Sequence, residues 1–105
     1  MDLDNSTGVY REYYDNGELK SEVFMCNGKK EGPYISYRKN GLPYEEINYI
    51  NDKKEGLSKL FFDNGNIFIE INYKNNKKFG TEIVYYENGN IESTIEYENN
   101  CELKN

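Results

Sequence analysis

Apolar and polar residues alternate along this chain in a pattern that recurs every 24 residues. In its first copy, Val9-Tyr10-Arg11-Glu12-Tyr13-Tyr14 runs into Asp15-Asn16-Gly17. Glu18-Leu19-Lys20-Ser21-Glu22-Val23-Phe24-Met25 follows, with Leu19, Val23 and Met25 in phase with a period of two. Two strand-forming runs around an Asn-Gly pair form the strongest short-range signal for a β-hairpin. Gly8, Gly32, Gly56 and Gly80 open successive copies, and Asn16-Gly17, Asn40-Gly41, Asn64-Gly65 and Asn88-Gly89 mark their turns. A period of this size means supersecondary units that bury their apolar faces by stacking on neighbours. The chain is therefore expected to be a single domain, 1–105, of four repeats at 8–31, 32–55, 56–79 and 80–103. The expected fold is all-β, an up-and-down antiparallel meander of about eight short strands in one twisted single-layer sheet.

Register decides which residues share a face. A two-residue Asn-Gly turn sets Tyr14 opposite Leu19, whereas a three-residue Asp-Asn-Gly turn with its glycine left-handed sets Tyr13 opposite Leu19. The position of Tyr13 is aromatic in every copy (Tyr37, Phe61, Tyr85), while that of Tyr14 holds Arg38 in the second, which favours the three-residue turn. Unbroken alternation from there gives an inner face of four layers, headed by Tyr13, Leu19, Val23 and Met25. The stretches such as Asn27-Gly28-Lys29-Lys30-Glu31-Gly32 are read as polar joints on the opposite rim. One such face buries little per residue ordered, so the sheet is expected to curl or to be completed by a second chain at its face or edge.

Composition narrows the function. There are 19 Asp plus Glu against 13 Lys plus Arg, a net charge of −6, which disfavours nucleic acid and anionic membranes as partners and suits a basic protein. The 11 Tyr and 5 Phe argue against disorder. Alanine, histidine, tryptophan and glutamine are absent while Asn, Lys, Ile and Tyr abound, a codon bias that points to an AT-rich bacterial or phage genome. Met1-Asp2-Leu3-Asp4-Asn5 has no signal-peptide pattern, no stretch is long and apolar enough to span a bilayer, and Cys26 and Cys101 read as free thiols. A cytoplasmic protein is expected.

The motif Gly-x-Tyr-x-x-Tyr-Tyr-x-Asn-Gly-x-Leu-x-x-Glu of Gly8 to Glu22, with its Asn-Gly-Lys-Lys-Glu-Gly joint, resembles the MORN-repeat-variant family over Gly8 to about Asn100. Departures from it are Arg38, Pro43, Thr94 and the fourth joint, Asn99-Asn100-Cys101. The resemblance implies antiparallel hairpin arrays that serve as interaction platforms, many bacterial members being labelled antitoxins. It carries no catalytic motif.

Residue chemistry agrees. Without histidine, Ser-His-Asp and Cys-His catalysis and the common zinc sites are ruled out. The glycines stand singly and form no phosphate-binding loop. No enzyme, cofactor or metal is expected. Glu22, Glu46 and Glu70 recur at the repeat period as a carboxylate ladder, read as a solvated outer face before a glycosidase pair. Tyr10, Tyr14, Phe24, Tyr34, Tyr44, Phe62, Phe68 and Tyr86 are expected to project beside them, more aromatic surface than a solvated face needs. With Arg38, these twelve residues are the candidate partner-binding set. Lys29-Lys30, Lys53-Lys54 and Lys77-Lys78 form a basic strip at one rim.

The function expected is a non-enzymatic protein-binding module that docks and neutralises a protein effector. One rival is an acidic, phage-encoded inhibitor in the nucleic-acid channel of a defence nuclease. Another is a structural or membrane-associated scaffold. A homodimer through a sheet edge or face is a further open arrangement.

Overall fold

The structure is a computed structural model and describes residues 7–98 together with the backbone of 101–102. The N-terminal residues Met1–Asn5, the fourth joint Asn99-Asn100 and the side chain of Cys101 lie outside the described residues. Cys26 is a free thiol.

Each Asp-Asn-Gly turn closes as its residues dictate. The Gly17 N–H donates to the Tyr14 carbonyl at 2.9 Å, Glu18 N–H donates to Asn16 Oδ1 at 2.9 Å, and Tyr14 N–H donates to the Glu18 carbonyl at 2.8 Å. Gly17 sits at φ 88°, the left-handed region that glycine enters without a Cβ clash. Asn40-Gly41, Asn64-Gly65 and Asn88-Gly89 repeat this arrangement. The three-residue loop is thus the one formed, and Tyr13 pairs with Leu19.

The other rim is tighter than polar joints suggest. Asn27-Gly28, Asn51-Asp52 and Asn75-Asn76 each have two consecutive left-handed residues, at φ 53° and 80°, 53° and 71°, and 53° and 74°. That is the two-residue type I′ hairpin, whose twist matches the flanking strands. Asn and Asp tolerate the left-handed region because their short side chains bond the nearby backbone. These turns also tie hairpin to hairpin. Asp52 donates its N–H to the Lys30 carbonyl and accepts from the Lys30 N–H, and Asn76 does the same with Lys54.

The strands run β1 (Gly8–Tyr13), β2 (Leu19–Cys26), β3 (Lys29–Tyr37), β4 (Pro43–Ile50), β5 (Lys53–Lys54), β6 (Gly56–Phe61), β7 (Ile67–Lys74), β8 (Lys77–Lys78), β9 (Gly80–Tyr85), β10 (Ile91–Glu98) and β11 (Cys101–Glu102). They form one antiparallel sheet in the order β1-β2-β3-β4-β6-β7-β9-β10-β11, with β5 on β4 and β8 on β7. This is the expected meander. The Cα trace fits within 53 × 32 × 14 Å, a single twisted layer.

One residue per hairpin breaks the expected alternation. Glu12 pairs with Ser21 and Tyr13 with Leu19, so Lys20 is an extra residue, a β-bulge. Tyr44, Phe68 and Glu92 are bulged in the same place. The bulge turns the rest of the strand over. Val23 faces with Tyr10, and Tyr13 and Leu19 face with Arg11 and Glu22. The four expected inner layers are therefore divided two and two between opposite faces. Neither face is a core, since among the described residues no apolar side chain is buried.

Candidate functional site

Both broad surfaces of the sheet are built from rows of register partners. On the first, the row Glu12–Ser21–Ser36–Glu45–Leu60–Ile69–Val84–Ser93 crosses eight strands without interruption. The adjacent row begins Tyr10–Val23–Tyr34–Ile47. Beyond it stand Tyr49, Tyr73 and Tyr97, and we call this the tyrosine face. Lys30 Nζ lies 4.8 Å from the centre of the Tyr49 ring, Lys54 Nζ 5.0 Å from Tyr73 and Lys78 Nζ 5.0 Å from Tyr97. Each is a cation–π contact between one hairpin and the next.

The least exposed residues, Ser21, Ser36, Ser58 and Glu82, are polar and all lie on this face. Ser21 Oγ donates to Glu12 at 3.2 Å and Ser36 Oγ to Glu45 at 3.4 Å. Lys78 Nζ pairs with Glu82 Oε1 at 3.2 Å. Burial disfavours the Lys78 ammonium, but the bond to Glu82 and the nearby negative charge prevail and raise its pKa. Burial is also the first cause that raises the Tyr34 and Tyr49 phenols, with Glu45 the second for both. A hollow of about 120 Å³ opens between Ile47, Ser58, Leu60, Ile71 and Tyr73. It is well below the roughly 300 Å³ at which small-molecule sites begin.

The opposite surface carries the row Arg11–Glu22–Ile35–Glu46–Lys59–Glu70–Ile83–Thr94, again across eight strands. We call it the glutamate face. Arg11 Nε lies 2.7 Å from Glu22 Oε2, Lys59 stands between Glu46 and Glu70, and the Tyr85 hydroxyl donates to Glu70. That bond holds the Tyr85 proton and raises its pKa. Phe24 faces here with Val9, beside Tyr13 with Leu19 and Phe61 with Ile67.

The twelve candidate residues are thus distributed over three places. Glu22, Glu46, Glu70 and Phe24 share the glutamate face with Tyr13 and Leu19, which were expected on the opposite, inner side. Tyr10 and Tyr34 are instead on the tyrosine face with Val23 and Ile47, which corrects the expected separation of inner from outer residues; the bulge is the cause. Tyr14, Arg38, Tyr44, Phe62, Phe68 and Tyr86 gather near the Asp-Asn-Gly rim. There the Tyr14 hydroxyl donates to the Tyr37 carbonyl at 2.6 Å and Arg38 Nη2 to the Phe61 carbonyl at 2.8 Å. The Arg38 guanidinium also lies 5.0 Å above the Tyr44 ring and 3.6 Å from Asp63, and the Phe62 and Phe68 rings meet at 4.5 Å. Tyr14 and Arg38 thus join neighbouring hairpins, the Phe62–Phe68 pair lies within one, and Tyr44 and Tyr86 remain half-exposed.

The lysine strip also divides. Lys29, Lys53 and Lys77 are exposed, while Lys30, Lys54 and Lys78 turn onto tyrosine rings. The sequence signal for this was the shared period of the second lysine and of Tyr49, Tyr73 and Tyr97. Among the described residues no three His, Cys, Asp or Glu side chains converge as metal ligands, and no helix is long and apolar enough to cross a membrane.

The description of the MORN repeat variant matches the chain at residues 6–27, 54–75 and 80–99, which together exceed half of its length. No curated protein and no solved structure gives a match.

Proposed function

The chain belongs to the MORN repeat variant family, and from that premise we propose that it is a non-enzymatic binding module whose glutamate face docks and neutralises a basic protein effector. We count the hairpin of Pro33 to Ile50, outside the matched segments, as a fourth unit of the array, because its turn, bulge and register repeat those of its neighbours.

The observation that carries the reading is the unbroken row from Arg11 to Thr94. It fixes Glu22, Glu46 and Glu70 on alternate hairpin strands about 10 Å apart, two inter-strand spacings. Val9, Phe24, Ile35 and Ile83 lie among or beside them, so charge and apolar area are presented together. Regularly spaced carboxylates steer a basic surface into place, and the apolar groups between them supply burial once it has docked. Toxin–antitoxin pairing is the setting we favour. The acidic-inhibitor reading draws support from Asp15, Glu18, Asp63 and Glu87, all exposed along the Asp-Asn-Gly rim.

The test is capture from a lysate of the native host with the wild-type chain and with E22K/E46K/E70K. A basic protein retained by the wild type and bound at least ~10-fold less by the variant, about 1.4 kcal/mol, is expected. Equal retention by both would remove the glutamate face from the interaction. If the rim acids carry binding, D15K/D63K/E87K abolishes it while the face variant does not.

A further inference from the structure

One partner contributes roughly 800 Å² to a standard protein–protein interface. Half of a 53 × 32 Å rectangle supplies such an area. Nothing apolar is buried among the described residues, so the molecule carries the surface of half a β-sandwich.

The geometry points to a second copy of this chain as the occupant of the tyrosine face, packed sheet on sheet with its strands running in the opposite direction. Two arguments select this face. Its charges already have partners: Lys30, Lys54 and Lys78 rest on tyrosine rings, Lys78 also pairs with Glu82, and Glu12 and Glu45 accept from serines. Such groups are withdrawn from water at far lower cost than unpaired ones. Between them lie Leu60, Ile69 and Val84 in one row and Val23, Tyr34 and Ile47 in the next, an apolar centre of the kind that interfaces require. The glutamate face cannot pair with itself so well, because Glu46 and Glu70 share the single Lys59 and would meet like charges.

Orientation follows from the rims. Lys29, Lys53, Lys74 and Lys77 are exposed at the type I′ end, where Asp52 and Glu98 are the exposed acids among the described residues. At the Asp-Asn-Gly end Asp15, Glu18, Asp63 and Glu87 are exposed, against Lys20 and Lys39. The sheet is therefore polarised along its strands. A two-fold axis running across the strands lays each basic end over the partner's acidic end, and an axis along the strands would stack like on like. This dimer leaves both glutamate faces outward and does not depend on the effector reading.

The test begins with the mass in solution at about 100 µM, well above the Kd of an ordinary homodimer. Twice 12.4 kDa is expected for the wild type and for E22K/E46K/E70K, and the mass of one chain for Leu60→Asp, whose side chain lies at the centre of the tyrosine face. Carbodiimide cross-linking of a mixture of ¹⁴N and ¹⁵N chains should join Lys53 or Lys77 of one copy to Asp63 or Glu87 of the other. This second measurement decides the matter on the wild type if Leu60→Asp loses its β-type circular dichroism. A wild type with the mass of one chain overturns the proposal. So does a dimer that survives folded Leu60→Asp, or a dimer whose cross-links never join mixed isotopes.

Discussion

At equivalent places in successive hairpins, a phenol and a guanidinium perform one task. The Tyr14 hydroxyl and Arg38 Nη2 each donate to a carbonyl of the following hairpin, at 2.6 and 2.8 Å. The bulged residue beside each compensates in charge. Lys20 lies over the Tyr14 ring at 5.8 Å, and in the next unit the order is reversed, with Arg38 over Tyr44 at 5.0 Å. Phe62 and Phe68 replace the pair by two rings in contact. Arg38, which departs from the family pattern, is on this view a clamp between hairpins. Arg38→Ala should lower the unfolding free energy by ~1.5–3 kcal/mol, the range for a hydrogen bond to a charged group, as a lower urea midpoint with an unchanged slope. Arg38→Tyr should recover at least half of that loss, because the neighbouring unit shows that a phenol reaches the same carbonyl. An unaltered midpoint in Arg38→Ala would mean that the clamp contributes nothing.

A hairpin here is a bulge held between two kinds of turn. Lys20 is exposed, so Lys20→Ala should change stability by less than ~0.5 kcal/mol. Deletion of Lys20 removes the extra residue itself. Leu19 and Ser21 become neighbours on opposite surfaces, so Tyr13 with Leu19 and Glu12 with Ser21 keep their pairing and their faces. A loss of less than ~2 kcal/mol with a single cooperative transition is expected in the same urea titration, and loss of that single transition would mean that the bulge is required for the fold. The deletion also shows what was legible in the residues and what was not. The Asp-Asn-Gly loop and the pairing of Tyr13 with Leu19 could be read, because Asn-Gly states its own turn chemistry and Arg38 excluded the other register. The bulge could not. Leu19, Val23 and Met25 are all compatible with unbroken alternation, and in a sheet with apolar residues on both faces a slip of one residue changes hydrophobic exposure too little to leave a mark in the pattern. The type I′ turns were hidden for another reason, since Asn51-Asp52 and Asn75-Asn76 contain no glycine. Of the candidate site, the Glu22, Glu46 and Glu70 row came directly from the period. The division of the aromatics depended on the bulge and failed with it.

Across the whole molecule, each hairpin touches only its neighbours, so stability accumulates from interfaces between units rather than from a shared interior. Central strands β4, β6 and β7 have partners on both sides along their length, while β1 has one. Hydrogen exchange should therefore be slowest in the amides of β4, β6 and β7 and fastest in β1, a gradient readable by mass spectrometry on peptic fragments. Uniform protection would mean that the sheet opens only as one unit. The near-identity of the hairpins has a consequence for how the chain finds its fold. A strand searching for its neighbour meets several partners of almost equal quality, and pairing β2 with β6 in place of β3 would expel one whole unit as a loop while preserving most of the ladder. Such an off-by-one error is a trap inherent in any repetitive sheet. Contacts that cross from one unit to the next and differ between units act as address labels against it: Lys39 of the second unit lies over the Tyr14 ring at 5.8 Å, and a skipped unit would set Asp63 there in its place.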